Sequence, residues 1–218
     1  MNRLISTCLL LSVLFWSCAK STDSDVEIYT NDFENGNLTG ITNGTISIFN
    51  GSNVLGNYNA SGFDLTLNDL PAHDLIDISF DLYIHDSWEG NQQFNDNENG
   101  PDIWQLKIDG KTFINTTFSN LDCTPGYFCS PQSYPADYPN NNGNPKNGAS
   151  RTDLPGFCSQ IDKPNGTTLY KIHKRIGHKE STLLIQCLDK LIQKNVSDPK
   201  CDESWSVDNI KVKVISLN

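Results

Sequence analysis

The alternation of apolar and polar residues in short runs constrains the fold of this chain more than any other feature of its sequence. The clearest run, LIDISFDLYIHD, places Ile76, Ile78, Phe80, Leu82 and Ile84 at every second position. Successive side chains of a β-strand point to opposite faces, so this run predicts a long strand with one buried face. Clusters of Asn, Gly, Asp and Pro separate such runs and predict turns between strands.

Further runs alternate in the same way: GTISIFNG, FDLTLNDL, DIWQLKIDGKTFINTTF, TTLYKIHKRI, STLLIQCLDKL and SWSVDNIKVKVISL. In the third of these, Asp109 and Gly110 stand between two alternating halves and predict a hairpin. We find no convincing amphipathic helix. Many short strands without helices between them predict an all-β fold, an antiparallel β-sandwich of the jelly-roll type, galactose-binding or concanavalin-like.

Residues 1–17 have the properties of a secretory signal peptide. Arg3 gives a positive start, and Leu9–Trp16 is apolar but too short to span a bilayer. Ser17 is the small residue that a signal peptidase requires. The chain is therefore expected to leave the cytosol.

The stretch Phe15 to Cys18 resembles the lipobox of Bacteroidetes lipoproteins, which implies that Cys18 is acylated and becomes the first mature residue. The polar residues that follow predict a flexible spacer at 18–25. We expect a lipoprotein on the outer membrane or cell surface. The alternative is an ordinary signal peptide that is cut nearby, which would give a secreted protein.

The charge and size of the chain limit its partners. The net charge of −10 argues against a nucleic-acid partner, because phosphate binding requires a basic face. After the leader, no apolar stretch approaches the roughly 18 to 20 residues that cross a membrane. We expect residues 26–218 to form a single domain that contacts the membrane only through the lipid. The sequence leaves the oligomeric state open.

Five cysteines follow the leader, and outside the cytosol they predict disulfides rather than a zinc site. Cys123 and Cys129 bracket a short Pro/Gly turn and form one preferred pair. Cys187 and Cys201 bracket a segment between two predicted strands and form the other, with Cys158 left over. Pairing of Cys129 with Cys158 is a close alternative, because sequence alone does not determine connectivity.

Two segments depart from the simple alternating pattern. Residues 121–164 are rich in Pro, Gly and Asn, do not alternate and hold three cysteines, which predicts a long loop stapled by disulfides. Residues 171–179 carry six Lys, Arg and His side chains. This basic segment could bind an anionic polysaccharide or phosphate, but we favour one or two strands with a solvated basic face set against an acidic protein.

The acidic stretch HDSWEGNQQFNDNENGPD could hold a metal ion. Its carboxylates are Asp86, Glu89, Asp96, Glu98 and Asp102. Such oxygen ligands, with Asn side chains and glycines between them, suit Ca²⁺ better than a transition metal. The fixed ligand spacing of an EF-hand is missing. The alternative is an ordinary polar loop between two strands.

Aromatic residues near the acidic stretch and in the long loop could stack on sugar rings. The candidates are Trp88, Trp104, Tyr127 and Tyr134, with Asp86 as a hydrogen-bonding neighbour. Trp104 lies in an alternating strand and fits a core position as well. Trp88 lies in a loop and is the better candidate for an exposed platform.

The sequence holds no recognisable catalytic motif. None of the four histidines stands in a nucleophile or metalloprotease pattern. Glycosidases need only two carboxylates at a suitable distance, so a polysaccharide-degrading enzyme remains an alternative. We expect a protein that is not an enzyme.

Two end motifs, NDFENG and ESWSVDNIKVKV, resemble the first and last strands of jelly-roll modules, namely the family 4 and 9 carbohydrate-binding modules and the MAM domains. The resemblance implies that Glu34 and Asp208 share a structural Ca²⁺ ion, with Asp32 as a possible contributor. The motifs DSWEGN, GPDIWQLKIDG, TTFSN and QSYP also resemble a recurring architecture among secreted proteins.

The sequence therefore predicts a non-catalytic binding module at the cell surface or in the medium. Glycan is the favoured ligand, with calcium as a structural cofactor. One alternative is an adhesion or assembly component that binds envelope protein, and another is the enzyme with paired carboxylates.

Overall fold

Two antiparallel sheets make up most of the chain in the computed structural model, which describes residues 22–93, 100–123, 126, 128–194 and 196–218. Within these ranges the element order is twelve strands interrupted by one helix of four residues. No helix there is long and apolar enough to cross a membrane. The predicted all-β fold class, an antiparallel β-sandwich, is confirmed.

Sheet A has seven strands. Six of them follow one another in the order β3-β4-β12-β6-β10-β9, and the seventh, β1, pairs with β12. Its strands are β1 (Thr22–Asn31), β3 (Ile46–Phe49), β4 (Ser52–Tyr58), β6 (Leu75–Asp86), β9 (Arg151–Leu154), β10 (Thr167–Gly177) and β12 (Glu203–Leu217). The helix α1 (Pro199–Asp202) directly precedes β12.

Sheet B has five strands in the order β2-β5-β11-β7-β8. Its strands are β2 (Ile41–Thr42), β5 (Gly62–Leu67), β7 (Ile103–Ile108), β8 (Lys111–Thr117) and β11 (Leu183–Asp189). Asp109 and Gly110 both have positive φ, of 49° and 76°, as the two central residues of a type I′ turn require. The predicted hairpin is therefore confirmed.

The hydrophobic core lies between the two sheets. The alternating apolar residues of β6 are all buried there, from Ile76 to Ile84. Trp104 of β7 and Trp205 of β12 meet edge to face with their ring centroids 5.9 Å apart. Aromatic side chains bury the largest areas, so these rings contribute much of the apolar stabilisation between the sheets.

The first and last strands lie side by side, as the end motifs predict. β1 pairs with β12 from Thr22 opposite Leu217 to Asn31 opposite Ile210. β1 begins at Thr22, so the last four residues of the flexible spacer expected at 18–25 belong to a strand. Cys18 lies outside the described residues.

The DFE motif forms a turn after β1 rather than a strand. Phe33 has a φ of 58° and is fully buried. Its backbone N–H donates to the side-chain oxygen of Asn31 at 2.9 Å, a local bond that lets Asn compete with the sheet ladder. The turn therefore ends β1 and turns the Phe33 ring into the core.

One of the two predicted disulfides is wrong. The structure joins Cys123 to Cys129, as expected, but joins Cys201 to Cys158 instead of Cys187. Cys187 occupies an inward position of β11 and is 1% exposed, whereas Cys201 lies in α1 outside the core. The free thiol is therefore a packed core side chain.

The long segment 121–164 packs closely against the sandwich. It contributes the edge strand β9, which pairs with β10. Gln132 is fully buried, and its side chain accepts bonds from the backbone N–H groups of Ser119 and Lys146 and donates to Asn147. A buried amide with satisfied hydrogen bonds fixes the path of the part of this segment that precedes β9.

Candidate functional site

A cleft of about 550 Å³ opens between the two sheets at one edge of the sandwich. We call it the edge cleft. One wall is β1, through Ile28 and Tyr29, and the other is the end of β5, through Thr66 and Leu67. The turns at 39–40 and 68–71 supply the remaining lining: Thr39, Gly40, Asn68, Asp69, Leu70 and Pro71.

The backbone conformation of the two turns shapes the edge cleft. After β5 the chain turns through Asp69 at a φ of 56°, a conformation that Asp and Asn tolerate. Leu70 is buried, and its N–H donates to the carbonyl of Ser181 at 2.9 Å. Gly40 has a φ of 79°, and a Cβ there would lie 2.9 Å from the carbonyl oxygen of Thr66. Only glycine fits this close approach without strain.

The edge cleft combines an aromatic ring with uncommitted polar groups. Tyr29 is half-buried, its hydroxyl accepts a bond from Asn31 at 3.1 Å, and burial raises its pKa. Across the described residues, no side-chain hydrogen bond is found for Thr39, Thr66, Asn68 or Asp69. These groups face water and are available to a ligand.

The outer face of sheet A carries a second, polar groove of about 400 Å³, and of its charged lining residues only Lys211 has no ion pair among the described residues. Lys171 of β10 contacts Asp81 of β6 at 2.8 Å, and Arg175 and His173 contact Asp77 at 2.6 and 2.9 Å. The favoured interpretation of the basic segment, a strand with a solvated basic face, agrees with this arrangement. The edge cleft is the better candidate for ligand binding.

The two tryptophans predicted to bind ligand are in the core. Trp88 and Trp104 are each 0% exposed. Trp88 follows β6 directly, packs edge to face on Phe118 and donates its Nε1 hydrogen to the carbonyl of Ser204 at 2.9 Å. The exposed-platform prediction for Trp88 is wrong, because contacts far along the chain enclose the ring. Trp104 takes the core position that its alternating strand allows.

The remaining predicted ligand residues are engaged elsewhere. Asp86 is fully buried, and its carboxylate accepts backbone N–H bonds from Cys158 and Gln160. Asp86 therefore anchors the long segment to the end of β6. Its carboxylate is buried and already hydrogen-bonded, so it is not available to a ligand. Tyr134 is half-buried and packs on Phe118. Tyr127 lies outside the described residues, as do Asp96 and Glu98.

Glu34 and Asp208, the predicted metal ligands, lie close enough for their charges to interact. Burial raises the pKa of Asp208 to about 6, and the charges of Asp81, Glu34 and Asp32 add to this rise. Glu34 also accepts hydrogen bonds from the hydroxyl of Ser52 and the N–H of Asn53. Calcium at this pair stays a prediction.

Sequence reasoning missed the cleft residues and one acid. Nothing in the local sequence marks Tyr29, Asn68 or Asp69, because the cleft forms only when β1 meets the end of β5. Asp102, which was predicted to bind metal, lies beside Glu89 and Glu203. Glu203 was not predicted, although it stands in the ESWSVDN motif.

The sequence matches no protein-family model and no curated protein. Among solved structures, a family 35 carbohydrate-binding module from Clostridium thermocellum aligns with a TM-score of 0.36 and 11% identity, covering 87% of this chain and 97% of that chain. A family 35 module from an environmental isolate aligns with a TM-score of 0.37 and 11% identity, over 88% and 98% of the two chains.

Dimeric latent PorU from Porphyromonas gingivalis aligns with a TM-score of 0.36 and 8% identity, over 71% of this chain and 10% of that chain. Similarities this low carry no information about the ligand. The resemblances to family 4 and 9 modules and to MAM domains stay predictions.

Proposed function

We propose that this chain is a non-catalytic binding module that holds a glycan in the edge cleft. The observation that supports this function is the combination of a half-buried tyrosine ring with four uncommitted polar side chains in one cleft. A cleft of about 550 Å³ falls within the range of small-ligand sites, roughly 300 to 1,000 Å³.

A sugar presents apolar C–H faces and a rim of hydroxyl groups, and the edge cleft offers partners for both. The ring of Tyr29 and the side chain of Leu67 provide apolar surface for the C–H faces. Asp69 accepts hydrogen bonds from hydroxyls, and Asn68 both donates and accepts. Two of the walls are strands, so the ligand meets a preorganised surface and little ordering is required on binding.

The location is part of the same proposal. The leader and the lipobox-like stretch at Phe15 to Cys18 support secretion and anchoring at the cell surface. A surface-held module of this kind would retain polysaccharide near the cell.

Affinity electrophoresis against a panel of plant and microbial polysaccharides tests the proposal. For a polysaccharide that retards the wild-type protein, Tyr29→Ala should weaken binding at least tenfold, about 1.4 kcal/mol, because the ring loses its stacking contact. Asp69→Asn should also weaken binding, and it suits the positive φ at that position. Tyr83→Ala on the outer face of sheet A is the matched control and should leave binding unchanged.

Melting curves of all three variants check that they fold. Equal loss of binding in Tyr29→Ala and Tyr83→Ala would show that the edge cleft is not the site. If no polysaccharide retards the protein while envelope extracts yield a specific protein partner, the adhesion alternative replaces the glycan proposal.

A further inference from the structure

Three carboxylates meet at the end of β6 that lies opposite the edge cleft. Glu89 follows β6, Asp102 precedes β7, and Glu203 is the first residue of β12. One carboxylate oxygen from each residue lies within 4.8 Å of those of the other two. We call this group the carboxylate cluster.

The carboxylate cluster is buried, and several of its oxygens have no partner. Asp102 and Glu203 are 0% exposed, and Glu89 is half-buried. Oδ2 of Asp102 accepts hydrogen bonds from the backbone N–H groups of Glu89 and Gly90. In the described part of the chain, no donor makes a well-formed hydrogen bond to Oδ1 of Asp102 or to either oxygen of Glu203, and Glu89 lies close enough to Glu203 to share a proton with it. Buried acceptors of this kind require a proton or a cation.

Among the described residues, no cationic side chain pairs with these acids. None of the ion pairs found among the described residues involves Glu89, Asp102 or Glu203. Burial, together with the neighbouring carboxylates, raises the pKa of Asp102 and of Glu203 well above the usual range. Asp202 adds a further negative charge near Asp102.

The amide of Gln193 is the one polar side chain that favours the charged form of Glu203. Its Nε2 is buried and lies near Glu203, but outside the geometry of a well-formed hydrogen bond. The nitrogen and oxygen of an amide exchange places by a half-turn, which would present an oxygen to a cation in the cluster.

We propose that the carboxylate cluster binds one Ca²⁺ ion. Ca²⁺ takes six to eight oxygens at about 2.3–2.6 Å, so opposite ligands lie about 4.6–5.2 Å apart, and the cluster fits within one such shell. Three carboxylates supply up to six oxygens. Mg²⁺ requires a smaller shell and keeps several waters, which suits a dry all-protein cluster less well.

The ion would join the β6–β7 connection to the start of β12. Trp88 already bonds to Ser204 there, and Cys201 is tied to Cys158 close by. The role is therefore structural, at the end of the sandwich away from the edge cleft. The site is also distinct from the pair of Glu34 and Asp208.

Calcium titration of EGTA-stripped protein, by calorimetry and by melting curves, tests the site. We expect one Ca²⁺ to bind at the carboxylate cluster and to raise the melting temperature. Glu203→Gln keeps the side-chain shape but removes a ligand charge, and it should weaken Ca²⁺ binding at least tenfold. The same variant should melt at a higher temperature than stripped wild type, because an unpaired buried charge is gone. Asp208→Asn is the matched control and should keep the wild-type affinity.

Two outcomes would overturn the site. If wild-type protein binds no Ca²⁺ and melts identically with and without it, the cluster holds protons instead. If Asp208→Asn loses Ca²⁺ binding and Glu203→Gln retains it, the ion belongs to Glu34 and Asp208. The melting curve of stripped Glu203→Gln shows that the variant folds, so its loss of affinity reports on the ligand. Polysaccharide binding by this variant should be unchanged, which separates the two proposals.

Discussion

The carboxylate cluster and the outer face of sheet A use the same kind of side chain in opposite ways. On the outer face, Asp77 and Asp81 pair with Lys, Arg and His of β10, and the pKa of Asp77 is lowered by His173 and Arg175 in spite of partial burial. In the cluster, carboxylates face one another, and burial raises the pKa of Asp102 and Glu203.

The difference follows from the strand register. Asp77 lies directly opposite Arg175, and Asp81 lies opposite Lys171, so neighbouring strands supply the cations. The carboxylate cluster lies where strands begin and end. Among the described residues, strand pairing brings no basic side chain into an ion pair with it. One region is neutralised by the protein itself, whereas the other requires a proton or an ion from solution.

The largest expected effect comes from removing the hydrogen-bond acceptor of the cluster. Asp102→Leu leaves the N–H groups of Glu89 and Gly90 without their partner, which should lower the free energy of unfolding by about 3 kcal/mol. Asp102→Asn keeps an acceptor and gains a donor toward Glu203, so in EGTA it should be at least as stable as wild type. Urea denaturation in EGTA measures both. If Asp102→Asn is less stable than wild type, the charge of Asp102 already has a partner in the folded protein. The cluster would then resemble the outer face of sheet A, where the carboxylates are paired.

A smaller effect is expected in the pH dependence, with opposite signs in the two regions. In calcium-free protein, Glu203 has a folded pKa above its ordinary value of 4.5, so the folded chain binds more protons and its stability falls as pH rises above that value. The stability gained from Glu203→Gln should therefore grow between pH 5 and pH 8. Asp77 has a folded pKa below 3.8, so its contribution is lost only as pH falls through that lowered pKa.

Melting curves of each variant beside wild type measure these contributions, because titrating groups away from the changed residue act equally in both proteins. Asp77→Asn should be less stable than wild type at pH 5 and converge with it as the pH falls below 3.8. A difference for Glu203→Gln that does not change with pH would show that Glu203 is not the source of the slope.

The smallest expected effect is at an exposed ion pair. The Lys171 side chain is 68% exposed, and its contact with Asp81 is screened by water. Lys171→Ala should change the free energy of unfolding by about 0.2–0.5 kcal/mol and less in high salt. Urea denaturation at low and high salt provides the measurement. A loss well above 1 kcal/mol would mean that the outer face depends on its pairs as strongly as a buried site does.

Strands with alternating apolar residues were predictable, including β3 and β8 at the edges of the two sheets, whereas β1, β4 and β9 were not. β5, β6, β10, β11, β12 and the β7–β8 hairpin all contain predicted alternating runs. β9 and β1 are mainly exposed and polar, so alternation marks them poorly. β4 buries Val54 and Leu55 in succession, against opposite faces, and therefore shows no period of two.

The site residues were less predictable because their environment comes from distant parts of the chain. Trp88 looks like a loop residue in its local sequence, and only Phe118 and Ser204 reveal that it is enclosed. For the cysteines a usable signal was present: in STLLIQCLDKL, Cys187 shares the inward face with Leu183 and Ile185. That pattern favours a core thiol over a disulfide. The cleft around Tyr29 depends on two sheets and has no local signal.

The pairing of β1 with the end of β12 decides how the domain would respond to a mechanical load. Thr22 and Leu217 are direct neighbours on antiparallel strands. A pull that separated these two ends would break the backbone bonds between them one after another, from the outer end inward, rather than shearing them together. β12 would stay held by β4 and β6, so the first extension would release a single strand.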